Sequence, residues 1–115
     1  MRRGYSAEYE AKKGLIKNHG KENVIKVAIS QDGPDFLIFK PKGRSYNIYG
    51  FEVKQTHQKK YYCAGRDKEQ FRRLKAWHNA NSIPIFYLIA ITKHGVKTKW
   101  ERLTLEEFGE RYGIS

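Results

Sequence analysis

The pattern of hydrophobic and polar positions along the chain predicts alternating helices and strands. Apolar residues recur at helical spacing near the N-terminus and again after the middle of the chain, whereas short stretches rich in β-branched and aromatic residues are typical of strands. Segments rich in Gly, Pro, Asp and Lys separate them as turns. The predicted order is helix 6–18, strand 24–29, strand 35–39, strand 46–53, helix 67–80, strand 84–92, strand 95–102 and a short helix that begins at residues 104–107.

Local signals support the boundaries and faces of several elements. Asp67 is predicted to cap the second helix, with Gln70 three residues later as its partner. Gly50 marks a candidate bulge in the third strand. The stretch 84–92 is apolar almost throughout, which is typical of a strand covered on both faces, and 95–102 is predicted to be an edge strand. The inner face of the second helix would carry Phe71, Leu74 and His78.

This order of elements predicts an α/β fold. Its core is αβββαβ, with a mixed central sheet flanked by helices on both sides, and a small β-α extension follows. The 115 residues contain no internal repeat, linker or low-complexity block, so we expect a single domain that spans residues 1–115.

Composition and charge narrow the class of protein. The hydrophobic fraction of 39% and the aromatic fraction of 14% argue against intrinsic disorder. The single cysteine, Cys63, excludes a disulfide framework and a cysteine-rich metal site. No signal peptide or transmembrane segment is visible, so we expect a cytoplasmic protein that does not bind membranes. The net charge of +11 favours a polyanionic partner, with nucleic acid, and so the nucleoid, ahead of an anionic membrane surface.

Acidic residues on two neighbouring predicted strands are the candidate site for chemistry. In Phe51-Glu52-Val53-Lys54, Glu52 and Lys54 share one face of the strand because alternate residues point the same way. If strands 35–39 and 46–53 form an antiparallel hairpin, Asp35 lies beside Glu52 or Lys54. Two carboxylates can hold a hard divalent cation, and a nearby lysine can orient the attacking water or neutralise charge on a phosphate. The competing interpretation is a solvated strand face.

Glu8 is a further candidate, since it lies at helical spacing with Ala11 and Leu15 on the apolar stripe of the first helix. A carboxylate buried there would need a cation or another partner. Alternatively, Glu8 lies at the edge of the stripe and faces water.

Taken in order, Arg2-Arg3-Gly4-x-x-x-Glu8, Pro34-Asp35 and Phe51-Glu52-Val53-Lys54 resemble the PD-(D/E)XK nuclease superfamily, and within it the archaeal-type Holliday junction resolvases. The following stretch is also similar to those resolvases. It has a basic, tyrosine-containing loop at 59–62, a Gly-Arg-Asp turn at 65–67, an amphipathic helix and an apolar strand.

The resemblance implies a restriction-endonuclease-like fold and a Mg²⁺-dependent, structure-selective endonuclease. Such an enzyme resolves four-way DNA (Holliday) junctions by paired symmetric nicks and works as a homodimer with two active sites. By resemblance, Asp35 and Glu52 would bind Mg²⁺, for which Mn²⁺ is the expected substitute, and Glu8 would complete the metal site. Lys54 would assist the attacking water, and Ser30 would be the serine that this family carries before the aspartate. No nucleotide cofactor is expected, because the chain has no phosphate-cradling glycine-rich loop.

Two alternatives stay open. The chain could be another PD-(D/E)XK nuclease, restriction-like or a repair enzyme, that acts on duplex, mismatched or flapped DNA. It could also be a non-catalytic, basic module that binds nucleic acid.

Lys and Arg residues around the predicted site are the candidates for phosphate contacts. Tyr61, in the basic loop, could stack on unpaired bases or could instead pack the loop onto the sheet. The candidate nucleic-acid contacts are Arg2, Arg3, Lys12, Lys13, Lys42, Arg44, Lys59, Lys60, Tyr61, Arg66 and Arg72.

Overall fold

A mixed β-sheet with helices on both faces organises the fold. The computed structural model describes residues 6–27, 33–93 and 96–115. Within these ranges the strands lie in the order β1-β2-β3-β4-β5, and all neighbours are antiparallel except β3 and β4, which are parallel and joined through α2. The elements are α1 (Ala7–His19), a 3₁₀ turn (Lys21–Asn23), β1 (Val24–Lys26), β2 (Phe36–Lys42), β3 (Ser45–Thr56), α2 (Gly65–Asn81), β4 (Ile85–Lys93), β5 (Val96–Thr104) and α3 (Leu105–Tyr112).

Each face of the sheet packs its own hydrophobic cluster. Alternate residues of β4 divide between the two clusters, with Tyr87 and Ile89 in one and Phe86 and Leu88 against the other. The first cluster includes Phe71 of α2 and residues of α3, whereas the second includes Leu15 of α1. The predicted α/β class, with a mixed sheet between layers of helices, is therefore confirmed.

Capping interactions explain where two of the helices begin. The Ser6 hydroxyl accepts a hydrogen bond from the backbone N–H of Tyr9 at the start of α1. At α3, the Thr104 hydroxyl accepts from the Glu107 N–H, and the Glu107 carboxylate accepts from the Thr104 N–H. The predicted closing helix is thus confirmed, and a capping box fixes its start.

The β2–β3 hairpin is longer than the sequence pattern predicts. β2 continues through Pro41 to Lys42, and the turn consists of Gly43 and Arg44 alone. Gly43 has φ of 61°, a positive value that a glycine at the first position of a two-residue hairpin turn adopts easily. Pro41 lies beyond the end of β1. Among the described strands, β2 therefore has a neighbour on one side only at this point and tolerates a residue without an N–H.

Two local predictions are wrong. α2 begins at Gly65, with Ala64 as its N-cap, so Asp67 lies inside the first turn, where its carboxylate accepts a hydrogen bond from the Ala64 N–H at 3.0 Å. Gly50 forms no bulge, because the β2–β3 register continues past it without a shift. Its lack of a side chain is needed for close approach, since a Cβ there would lie 2.7 Å from Cγ of buried Pro34.

No helix in the described ranges has the length and apolar character needed to cross a membrane.

Candidate active site

The register of the β2–β3 hairpin brings Asp35 to Glu52. Phe36 pairs with Phe51 across the two antiparallel strands, so Asp35, which directly precedes β2, lies opposite Glu52. Asp35 Oδ2 accepts a hydrogen bond from the Val53 N–H at 2.9 Å, which fixes its carboxylate beside β3. The hairpin predicted from the sequence therefore places the two acids together.

Glu52 is buried, with 3% of its surface exposed. Gln70 of α2 donates a hydrogen bond to Glu52 Oε2 at 2.9 Å, and Lys54 Nζ lies 3.7 Å from the same oxygen. The other oxygen, Oε1, is buried and has no hydrogen-bond partner among the described residues. A buried carboxylate oxygen without a partner is costly, so Glu52 retains the capacity to bind one more donor or a cation.

Burial raises the pKa of Glu52 to about 7, and the negative charge of Asp35 acts in the same direction. Lys54, the hydrogen bond from Gln70 and a backbone hydrogen bond from Asp35 oppose the shift in pKa without cancelling it. The site thus disfavours a second negative charge when no cation is bound.

Lys54 is held between β3 and the first turns of α2. Its ammonium donates to Gln70 Oε1 and lies 3.4 Å from Asp67 Oδ1. Burial alone would raise the pKa of Asp67, but hydrogen bonds from the Ala64 N–H and the Tyr61 hydroxyl, with Lys54 close by, hold it below its ordinary value. The Lys54 side chain is 15% exposed and therefore has a fixed position rather than a solvated one.

Asp67 and Gln70 belong to this site, although the sequence interpretation gave them only a capping role. Their spacing of three residues places both on one side of α2, facing the sheet. That spacing was visible in the sequence, but the face of the sheet that receives the helix was not.

Tyr87, the parallel partner of Glu52 on β4, is a second buried polar group in this region. Its hydroxyl has no hydrogen-bond partner among the described residues, and burial, with the nearby Glu52, raises its pKa. The interior around Glu52 therefore holds two polar atoms with unused hydrogen-bonding capacity.

The structure does not bring Glu8 to this pair of acids. Leu15 of α1 packs on the face of the sheet that carries Phe36 and Phe51, whereas Glu52 points to the opposite face. The Glu8 side chain is 43% exposed and forms an ion pair with Lys26. Within the described ranges, no three His, Cys, Asp or Glu residues lie close enough together to hold a metal ion.

The remaining predicted residues divide by exposure. Arg2, Arg3 and Ser30 lie outside the described residues. The exposed cations among the candidates are Lys12, Lys13, Lys42, Arg44, Lys59, Lys60, Arg66 and Arg72.

Tyr61 packs the loop rather than presenting its ring to solvent. Its ring centroid lies 6.4 Å from that of Phe108 and 6.2 Å from that of Tyr112, whose hydroxyl donates to the Tyr61 carbonyl. Of the two interpretations of Tyr61, packing is therefore the one observed. The exposed aromatic ring of this loop is Tyr62, at 59%, with Lys60 Nζ 5.5 Å from its centroid.

Comparison with known proteins shows the fold. No protein-family model matches the chain, and no curated protein sequence matches it. The structure is similar to the 1.6 Å structure of Hjc from Archaeoglobus fulgidus, a Holliday junction resolvase from an archaeal hyperthermophile. The TM-score is 0.51 at 18% sequence identity, over 88% of this chain and 75% of that one. What the two chains share at this level is an α/β fold with a mixed sheet flanked by helices.

Proposed function

We propose that this chain is a Mg²⁺-dependent endonuclease that resolves four-way DNA junctions by paired symmetric nicks. The observation that carries the proposal is the grouping of Asp35, Glu52 and Lys54 at one point of the sheet. Glu52 Oε1 is buried there and has no hydrogen-bond partner in the described part of the chain. The similarity of the fold to a Holliday junction resolvase and the net charge of +11 support the same conclusion.

The donor set fits a hard divalent cation. Mg²⁺ commonly takes one or two carboxylates and completes its shell with water and substrate phosphate oxygens. Asp35 and Glu52 would supply the carboxylates, and a cation at Glu52 Oε1 would compensate the charge that burial disfavours. When bound, Mg²⁺ supplies polarisation of the scissile phosphate and acidification of a water nucleophile.

The side chains around the acids have defined tasks in this proposal. Asp67 and Gln70 hold the Lys54 ammonium, so its positive charge is in place before substrate arrives. Lys54 then stabilises the negative charge that develops on the phosphate or orients the attacking water. Gln70 also holds Glu52 Oε2, so Oε1 is the oxygen that would be available to a cation.

Paired nicks require two active sites, so we propose a homodimer as the working form. Each copy would cut one of two strands related by the symmetry of the junction.

Cleavage of a labelled, immobile four-way junction tests the proposal. We expect two symmetric nicks with Mg²⁺, none with EDTA, and none on a linear duplex of the same sequence. Glu52→Gln and Asp35→Asn each keep the size of the side chain and remove its charge. Each should slow cleavage by about 100-fold or more, the scale on which electrostatic groups at a reacting centre act.

Glu69→Gln is the matched control, because Glu69 is an exposed carboxylate of α2 that pairs only with Arg73 in the described part of the chain. Its rate should equal that of the parent. Equal cutting of the linear duplex would keep the nuclease and remove the junction specificity. Binding without cutting at any Mg²⁺ or Mn²⁺ concentration would leave a binding module and no catalytic role for Asp35, Glu52 and Lys54.

A further inference from the structure

The distal half of the β2–β3 hairpin projects from the sheet. β1 pairs only with residues 36–38 of β2, and β4 pairs with β3 only from Gly50 onward. Among the residues that the structure describes, 39–48 therefore pair only with one another, from Phe39 opposite Ile48 to Lys42 opposite Ser45. We call this two-stranded segment the β-arm.

The β-arm is cationic and exposed. It carries Lys40, Lys42 and Arg44 and no acidic residue, and all three cations are exposed. In the described ranges none of the three forms an ion pair with a carboxylate. Three cations without compensating charge on a projecting element attract a polyanion.

The two faces of the β-arm differ in chemistry. Lys40 and Lys42 share one face with their polar partners Asn47 and Ser45, and this face continues that of Phe36 and Phe51, opposite the face of Glu52. The other face is apolar and includes Phe39 and Tyr46, whose rings meet edge to face at 6.3 Å. One face thus offers hydrogen-bond donors to phosphates and base edges, while ring packing stiffens the ribbon from behind.

We propose that the β-arm lies in the major groove of a duplex arm of the DNA substrate. That groove is about 12 Å wide and admits a two-stranded β-ribbon, whose strands lie about 4.8 Å apart. A single strand offers no such groove, and the exposed ring of Tyr46 lies on the face opposite Lys40 and Lys42, so duplex DNA is the favoured occupant.

The register sets the distance between this contact and the acids. Ser45, at the tip, precedes Glu52 by seven residues of continuous strand. At about 3.3 Å per residue this is about 23 Å, so the tip would contact the duplex well away from the cut. The inference rests on the proposed function in placing the cut at Glu52, but the contact with DNA can be measured without cleavage.

The test is binding in EDTA, where no cutting occurs, to junctions with long arms and to junctions with two opposite arms shortened to about four base pairs. The arm variant is Lys40→Gln/Lys42→Gln/Arg44→Gln. The matched control removes three exposed cations elsewhere, with Lys75→Gln/Lys97→Gln/Lys99→Gln. Thermal unfolding and circular dichroism verify that each variant is folded.

On junctions with long DNA arms, substitution of the three β-arm cations should reduce the slope of log K against log salt. The expected reduction is about 0.9 per lost phosphate contact, up to about 2.7 in all. On shortened arms the arm variant should bind as the parent does, and the control should keep the parental slope. Parental binding by the arm variant on long arms, or equal loss by the control, overturns the β-arm contact even if cleavage is established. Loss of binding confined to the arm variant, in a protein that never cleaves, keeps the β-arm contact and removes the endonuclease.

Discussion

Glu52 occupies surroundings that oppose its ionisation. It is buried and lies opposite the carboxylate of Asp35, and the opposing effects of Lys54 and Gln70 are smaller. The protein therefore keeps a destabilising group at the centre of its sheet. A buried group whose ionisation is disfavoured in this way is characteristic of functional sites, where a bound ligand can offset the cost.

The pKa of Glu52 makes stability depend on pH in the metal-free protein. Its folded pKa of about 7 is above the ordinary value of 4.5, so the folded state binds the proton more tightly than the unfolded state. The resulting stabilisation is fully present below pH 4.5 and is lost as pH rises through about 7. Between these limits the parent should lose up to about 3 kcal/mol relative to Glu52→Gln.

Urea unfolding of the parent and of Glu52→Gln in EDTA, at pH 5, 6, 7 and 8, measures this difference. A difference between the two proteins that stays constant over this range would contradict the assignment of the raised pKa to Glu52.

At the scale of elements, α2 joins the sheet through polar side chains as well as through its apolar face. Gln70 links Glu52 and Lys54, and Asp67 holds Lys54 from the first turn. Phe71 and Leu74 of the same helix belong to the hydrophobic cluster that contains Tyr87. The orientation of α2 therefore determines both the packing of the core and the position of the lysine.

Replacing Gln70 by leucine should destabilise the protein. The change keeps the size of the side chain but removes the donor to Glu52 and the acceptor of Lys54, which leaves buried polar groups without partners. The expected cost is about 1–3 kcal/mol in the free energy of unfolding. Lys75→Leu, at an exposed position of the same helix, is the control and should change stability by less than about 0.5 kcal/mol. Equal effects of the two substitutions in urea unfolding would argue against the polar link.

The contrast between Asp35 and Glu8 shows how far sequence reasoning reaches. The hairpin prediction placed Asp35 near Glu52 because the pairing of adjacent strands is local and alternation along a strand has period two. Helical spacing grouped Glu8 with Ala11 and Leu15, but only the latter two are buried, and the Glu8 side chain is 43% exposed. The spacing also contains no information on which face of the sheet the helix covers. α1 packs on the face opposite Glu52, so Glu8 pairs with Lys26 instead.

The length of β2 was missed for a related reason. Lys40, Pro41 and Lys42 have the composition of a turn, and only the pairing of each with a residue of β3 makes them strand. Gln70 was likewise assigned to capping, because its contact with Glu52 depends on the packing of a helix against a distant strand. Tertiary packing therefore decides what local composition leaves open.

At the scale of the whole molecule, charge excess dominates the surface. With 23 Lys and Arg against 12 Asp and Glu, the chain should bind DNA chiefly through phosphates. A protein that makes six to ten phosphate contacts loses about 10³–10⁵ in affinity between 50 and 200 mM salt.

Fluorescence anisotropy with a labelled junction in EDTA, over that range of salt, measures this dependence. We expect a linear fall of log K with log salt for junction and duplex alike, since the phosphate contribution does not distinguish them. Affinity that is independent of salt would contradict phosphate-dominated binding.

The antiparallel register that joins Asp35 to Glu52 also bears on how this chain can change in length. The two-residue turn at Gly43 and Arg44 sets the register of the hairpin. Inserting the same number of residues into each strand near the tip therefore leaves Asp35 opposite Glu52. An addition to one strand alone displaces the two carboxylates from each other, and an odd addition also moves one to the other face of the sheet. Insertions and deletions in this hairpin should therefore be tolerated in matched pairs, so the length of the β-arm can change while the two acids stay opposite each other.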